Sequence, residues 1–392
     1  MEPDSSCSQN LSVGVIIMSG NFSWAYAELT DFIANHSEIE IGESVTSIPE
    51  SVRTDFYARF NSARNAFVEE KFPEFLSKAA RLQAEYAKAT EEAAASFSLD
   101  ETPAINSLRR FLRDPMDSLA RELFDPLFDL LKKRETLQSF EQRASTAIDG
   151  LFPILYRGAY DKWVILSLAM MFDIKTALRV PVRELQPSDR AKSATFAPVE
   201  EVPSPVESNS FYFSQPLKTI FAVPDLILHS ARLNRFVGIR SEFREGICHA
   251  PNASGERDWY PVDADLLRLL ANGLSLIYVA EKPESISLIA DVARFCRPDI
   301  VLWCIDSETT SREEAIEIMA IVEERLRPVK GSYVVATESW PTIDNAVPSP
   351  ALETQGDGVS SGIGILTAGF DRSKLDPIIG ALHNKEDAAI AT

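Results

Sequence analysis

Residues 221–246, FAVPDLILHSARLNRFVGIRSEFREG, decide how the second half of this chain is expected to fold. The stretch contains two β-rich segments that are joined by a short polar turn. Aliphatic β-branched and aromatic residues favour strands, and a brief polar interruption between two such runs favours a hairpin. The sequence therefore predicts two neighbouring antiparallel strands here.

The hairpin carries two acidic positions that could converge. Asp225 follows Pro224 at the start of the first segment, and Glu242 lies seventeen residues further on, near the end of the second. Alternate residues of a strand share a face, so Arg240, Glu242 and Arg244 should project to the same side. Carboxylates from two adjacent strands can hold Mg²⁺, which activates water and neutralises a leaving oxygen. The alternative is that these three residues form the solvated face of an ordinary hairpin.

Three short motifs resemble those of the PD-(D/E)XK nuclease superfamily: Tyr160-Asp161-Lys162-Trp163 on an expected core helix, Pro224-Asp225, and Glu242-Phe243-Arg244. The resemblance covers at most residues 155–280. It implies that Asp161, Asp225 and Glu242 hold a Mg²⁺ ion if the site is active, and that Asp225, Glu242 and Arg244 are catalytic. Arg244 stands where the family has a lysine that polarises the scissile phosphate. A guanidinium differs from an ammonium because it stays protonated and presents a planar fork.

Composition limits the possible partners. The 58 acidic and 39 basic residues give a net charge of −19, which repels a phosphate backbone. Nucleic acid could then bind only through a local basic site or a basic partner. Cys7, Cys248, Cys296 and Cys304 form no CxxC pair, which is typical of reduced structural thiols in a cytoplasmic protein. The apolar runs at residues 13–18 and 163–172 are too short to span a bilayer, so no membrane contact is expected.

The pattern along the chain predicts a mixed α+β or α/β protein in three parts. Residues 1–47 form a segment that contains a strand, residues 48–150 a helical bundle or arm, and residues 151–392 a mixed-sheet α/β domain with crossover helices. A loop rich in proline and serine interrupts the last part at residues 187–210.

Helix boundaries in the second part are marked by local signals. Ser47-Ile48-Pro49-Glu50 has the form of a capping box and predicts a helix start. Pro73 should separate two helices, and Asp114-Pro115 should begin another. Pro126 should kink or divide that last helix.

Acidic residues follow three further β-rich runs, LSLIYVAEKP, DIVLWCIDSE and GSYVVATESW. Helical stretches separate the runs, which predicts parallel strands with crossover helices. The acidic residues are Glu281, Asp306, Glu308 and Glu338. Ligands of open α/β sheets bind at the carboxyl ends of strands, and the first two runs resemble a toprim domain, which holds Mg²⁺ with one glutamate and an acidic pair. The alternative is that these residues cap the next helices, with Ser285 and Ser311 as N-cap candidates.

Two functions are consistent with these patterns. The first is a nuclease-like component of a nucleic-acid-processing or defence assembly that hydrolyses phosphodiesters with a metal if it is active. The second is a non-catalytic scaffold or adaptor that binds partner proteins through its helical segment. A protein partner or a homo-oligomer is expected in either case. The net acidity favours the second function slightly, because a free nuclease usually carries its own basic groove.

Overall fold

The computed structural model describes residues 22–43, 45–97, 106–179, 205–208, 226–243, 248–251, 257–260, 273–287, 298–340 and 362–383. The chain divides into two compact units. Residues 1–76 and 116–148 form the helical unit, and residues 77–115 and 149–392 form the sheet unit. None of the helices within the described ranges has both the length and the apolarity needed to span a membrane.

The helices are α1 (Phe22–Asn35), α2 (Glu50–Lys71), α3 (Pro73–Phe97), α4 (Asn106–Arg113), α5 (Pro115–Ala120), α6 (Phe124–Leu131), α7 (Leu137–Met171), α8 (Pro283–Ser287), α9 (Arg312–Leu326) and α10 (Asp376–His383). The strands are β1 (Glu40–Ile41), β2 (Thr46–Ser47), β3 (Ile174–Arg179), β4 (Val206–Glu207), β5 (Leu226–Ser230), β6 (Arg235–Phe243), β7 (Cys248–Pro251), β8 (Arg257–Tyr260), β9 (Leu274–Ala280), β10 (Ile300–Ile305), β11 (Gly331–Ala336) and β12 (Ile363–Thr367).

Aromatic side chains form the core of the helical unit. The Phe22 ring packs on Phe67 and Phe140, with ring centroids 5.2 and 5.3 Å apart. Phe60 and Phe128 stack 4.6 Å apart in the same unit. Large rings bury much apolar area, so these contacts stabilise helices whose outer faces are charged.

The proline signals place the helix boundaries of this unit correctly. Helix α2 begins at Glu50 with Pro49 at the N-cap, and α3 begins at Pro73. The capping box is not formed, because no side chain bonds the N-cap of α2 and Ser47 belongs to β2. A 3₁₀ turn over Arg121–Leu123 divides α5 from α6, so the predicted division falls just before Pro126.

The sheet unit contains an eight-stranded mixed sheet in the order β12-β11-β10-β9-β6-β5-β3-β4. Strands β10, β11 and β12 are parallel to one another, and all other neighbouring pairs are antiparallel. This confirms the mixed fold class expected from the sequence. It corrects the prediction for β9, which runs antiparallel to β10 with Leu302 opposite Ser275.

Helices cover both faces of the sheet. On one face, α9 contributes Ala315, Met319 and Val322 to an apolar core with the strands. On the other face, α7 crosses the strands, and the Tyr160 hydroxyl donates to the Ala336 carbonyl over 3.0 Å. The sheet unit is therefore a three-layer arrangement, and residues on its central strands are buried on both sides.

Two predicted elements lie outside the described residues. These are the strand expected in the first segment, at residues 13–18, and the loop at residues 187–210 apart from residues 205–208.

Candidate functional site

The central hairpin predicted from the sequence is present as β5 and β6. The two strands pair in register from Leu226 opposite Ile239 to Ser230 opposite Arg235. Asn234 closes the turn with a positive φ of 51°, a conformation that asparagine tolerates better than most residues. Because the strands are antiparallel, the beginning of β5 lies beside the later part of β6.

A register shift interrupts β6 at the position of interest. Arg240 lies opposite Leu276 of β9, whereas Phe243 lies opposite Leu274. Two residues of β6, Ser241 and Glu242, therefore face the single residue Ser275, as in a β-bulge. Bulges occur often beside active sites, where they redirect a side chain. Asp225, Arg244 and the side chain of Glu242 lie outside the described residues.

Arg240 is not solvated, contrary to what the alternative for this strand predicts for it. Its side chain is only 3 % exposed, because β6 lies in the middle of a sheet that helices cover on both sides. Ser241 beside it is also buried. At Arg240 and Ser241, β6 therefore buries polar side chains, which are found in protein interiors less often than on surfaces.

Asp161, the third predicted metal ligand, lies on α7 and points into the sheet unit. Its Oδ1 accepts a hydrogen bond from the Ser275 hydroxyl over 2.8 Å, and its Oδ2 pairs with Lys162 Nζ at 3.1 Å. Both Asp161 and Lys162 are almost fully buried. Ser275 thus links Asp161 to the bulged end of β6.

Both oxygens of Asp161 are occupied by protein groups, and a buried ammonium neutralises the charge. This arrangement does not suit a ligand of Mg²⁺, since a cation would have to displace Lys162. Among the described residues, no group of three or more histidine, cysteine, aspartate and glutamate side chains is placed to hold a metal ion.

Cys304 on β10 completes this buried group. Burial raises the pKa of the Cys304 thiol, and the charge of Asp161 and a hydrogen bond with it raise the pKa further. A thiol of raised pKa stays protonated and is a poor nucleophile, as expected for a structural cysteine. We refer to Asp161, Lys162, Ser275 and Cys304 as the Asp161 cluster.

The acidic residues that follow the other strands lie at two opposite edges of the sheet, meaning the two sides on which the strands begin and end. Asp306 and Glu308 follow β10, and Glu338 follows β11; these two strands are parallel, so the three residues share one edge. Glu281 follows β9, which runs the opposite way, and so lies at the far edge. The toprim-like combination of Glu281 with Asp306 and Glu308 is therefore not formed.

Asp306 is held by protein donors at its edge of the sheet. Its Oδ1 accepts from the Thr337 hydroxyl over 3.2 Å and from the Glu308 amide over 3.2 Å. Its Oδ2 lies 3.4 Å from Nζ of Lys78, which also pairs with Glu308. The contact with the Glu308 amide is that of an Asx turn, and Ser311 rather than Asp306 caps α9.

Helix α3 and helix α7 supply the groups that surround these acids. Arg81 of α3 pairs with Glu338 at 2.9 Å. Lys78 Nζ lies 5.9 Å from the centroid of the Tyr156 ring. Burial, and after it the charge of Asp306, raises the pKa of Tyr156. The edge is therefore a network of opposite charges, in which two cations pair with three carboxylates.

Sequence reasoning missed the residues that neutralise these acids. Lys162 carried a partial signal, because it is a charged residue directly before the apolar run at residues 163–172, but this signal indicates burial and not which acid Lys162 pairs with. Lys78 and Arg81 carried no such signal, since their partners lie more than 200 positions away in the chain.

Comparison with protein-family models, with curated proteins and with solved structures found no match to this chain.

Proposed function

We propose that the protein is a nuclease-like component of a nucleic-acid-processing assembly, with its centre at the open end of the β5–β6 hairpin. Support comes from the strand register. Asp225 directly precedes β5, and the first residue of that strand, Leu226, pairs with Ile239, three positions before Glu242. Two adjacent strands paired in this register can direct carboxylates toward one cation, which supports the proposal.

In this proposal Asp225 and Glu242 would hold a Mg²⁺ ion, and Arg244 would contact the phosphate. The ion would supply charge neutralisation and an activated water when bound. Asp161 has a different role, because Lys162 and Ser275 occupy its oxygens. It anchors Ser275 opposite the bulge and so positions the end of β6.

The test is cleavage of labelled DNA and RNA by the full chain, with Mg²⁺ or Mn²⁺ and with a chelator. We expect cleavage only with metal. Glu242→Ala should lower its rate by on the order of 100-fold or more, the scale of losing one stabiliser of the transition state. Glu281→Ala is the matched control, because Glu281 is an exposed glutamate at the other edge of the sheet. Equal rates for the two variants would remove the hairpin from the mechanism.

A non-catalytic adaptor is the second candidate, and the ion pair between Asp161 and Lys162 favours it. A nuclease that had lost its metal could retain the fold while a lysine neutralises a former ligand. Under this alternative the full chain cleaves no nucleic acid with either metal, and Glu242→Ala leaves binding to partner proteins unchanged.

A further inference from the structure

Helix α4, with the sequence NSLRRFLR, differs from the rest of this acidic chain. It contains three arginines and no acidic residue. Arg109 and Arg113 are exposed, and Arg110 is half-buried. The helix therefore concentrates positive charge in a protein whose net charge is −19.

The three arginines are not used to pair carboxylates. Within the described ranges, no ion pair or side-chain hydrogen bond involves Arg109, Arg110 or Arg113. Other arginines of the sheet unit behave differently: Arg81 pairs with Glu338 and Arg372 pairs with Glu92. The α4 guanidinium groups thus keep their donors available to an external ligand.

The apolar side of α4 fixes the helix on its neighbours. Leu108 and Phe111 are buried, and the Phe111 ring lies 6.1 Å from that of Phe152 on α7. Gln83 of α3 donates to the Arg113 carbonyl over 2.8 Å. The arginines are therefore presented by a rigid support and not by a loop.

The helix dipole explains only part of this arrangement. Cations stabilise the last turn of a helix, and Arg110 and Arg113 lie there. Arg109 lies outside that turn, so the helix dipole stabilises its charge less. Three guanidinium groups in about 6 Å of helix axis instead match a ligand with closely spaced anionic groups.

We infer that the arginine face of α4, formed by Arg109, Arg110 and Arg113, binds the phosphate backbone of a nucleic acid. Guanidinium groups bind phosphates through two parallel hydrogen bonds, and phosphates of one strand follow one another about every 3.4 Å along the axis. The choice of nucleic acid over an acidic protein rests on the proposed function. The position fits that function: α4 contacts α7 at Phe152, nine residues or about 13 Å along the helix from Asp161.

The test measures binding of the full chain to a fluorescein-labelled single-stranded DNA oligonucleotide by fluorescence anisotropy, in chelator, over a range of salt concentrations. The variant replaces Arg109, Arg110 and Arg113 by glutamine. We expect its affinity to fall roughly tenfold or more at low salt. The slope of log K against log salt should become shallower by about 2, because each phosphate contact on a single strand contributes about 0.7.

A second triple variant is the control, with Lys282, Arg312 and Lys374 replaced by glutamine. It removes the same charge from exposed positions elsewhere in the sheet unit, so its salt slope should stay that of the wild type. Equal loss in the two variants, or an unchanged α4 variant, would overturn the inference. Competition by polyglutamate as strong as competition by unlabelled DNA would also overturn it, in favour of an acidic protein ligand.

The binding assay and the cleavage assay can fail separately. Binding through α4 with no cleavage in any metal would leave the inference standing and refute the nuclease. Cleavage that depends on Glu242 but not on the α4 arginines would support the nuclease and overturn the inference about α4.

Discussion

The two faces of the eight-stranded sheet are built from alternate residues of the same strands, yet their chemistry differs. Toward α9, the strands contribute apolar side chains such as Leu276 and Trp303 to a continuous core. Toward α7, the neighbouring residues Ser275 and Cys304 meet the ion pair of Asp161 with a lysine. The α9 face is mainly apolar, with the buried Arg240 opposite Leu276 as an exception, whereas the α7 face holds a buried pair of opposite charges.

This difference separates the apolar core residues, which stabilise the fold, from the Asp161 cluster, whose presence stability alone does not explain. A buried ion pair is often no more stabilising than apolar residues of the same volume. The Asp161 cluster is therefore poorly explained by stability alone, and it lies beside the bulge that carries Glu242. Residues on the α7 face are therefore the better candidates for a functional role. Substitutions on the two faces can test how much each face contributes to stability.

The largest expected effect comes from breaking the ion pair. Lys162→Met should lower the free energy of unfolding by about 3–5 kcal/mol, because it leaves the Asp161 carboxylate buried without its counter-charge. Urea denaturation of the full chain, followed by fluorescence, measures this change. The double variant Asp161→Asn with Lys162→Met removes both charges and should recover most of the loss. A double variant as unstable as the single one would show that Lys162 acts through packing and not through charge.

A matched pair of neighbours compares the faces directly. Leu276→Ala opens a cavity in the α9 core and should cost about 2–5 kcal/mol of unfolding free energy. Ser275→Ala removes the donor to Asp161 Oδ1 and should cost about 1–3 kcal/mol. The same denaturation experiment measures both. A larger loss for Ser275→Ala would show that the polar face, and not the apolar core, carries the stability of the sheet.

Elements defined by local signals were predictable from the sequence. Pro73 begins α3, and Ser311 caps α9 by accepting from the Glu314 amide over 3.1 Å. The β5–β6 hairpin and strands β9 to β11 also follow from their β-rich composition. Such features depend on residues that are close in sequence, so one chain suffices to recognise them.

Features that depend on long-range packing were not predictable. The composition of β9 indicates a strand but not its direction, which made Glu281 seem a neighbour of Asp306. Adjacent helical residues normally point to different sides, so nothing indicated that Lys162 would pair with Asp161. Lys78 meets Asp306 across 228 positions of sequence. The sequence was thus enough to predict the strands of the candidate site, but not the groups that neutralise its acidic residues.

The smallest expected effect concerns the far edge of the same sheet, where Asp299 precedes β10. Its Oδ2 accepts from the Val279 amide over 2.7 Å. Burial raises the pKa of Asp299 from 3.8 to about 6, although the Val279 amide, Lys330 and Arg235 oppose the shift. Asp306 at the other end of β10 differs, because Lys78 pairs with it.

A raised pKa means that the folded protein prefers the protonated carboxyl. The resulting stabilisation is complete below pH 3.8, the ordinary pKa, and is lost as the pH rises through about 6. Asp299→Asn should therefore raise the free energy of unfolding at neutral pH by on the order of 2 kcal/mol and leave it unchanged at acid pH. Urea denaturation at several pH values measures the difference between variant and wild type. Asp149→Asn, at an exposed position on α7, is the control for the loss of one carboxylate. If the Asp299→Asn difference did not change with pH, the Asp299 carboxyl would be as well solvated in the folded protein as in the unfolded chain, and the contrast between the two ends of β10 would disappear.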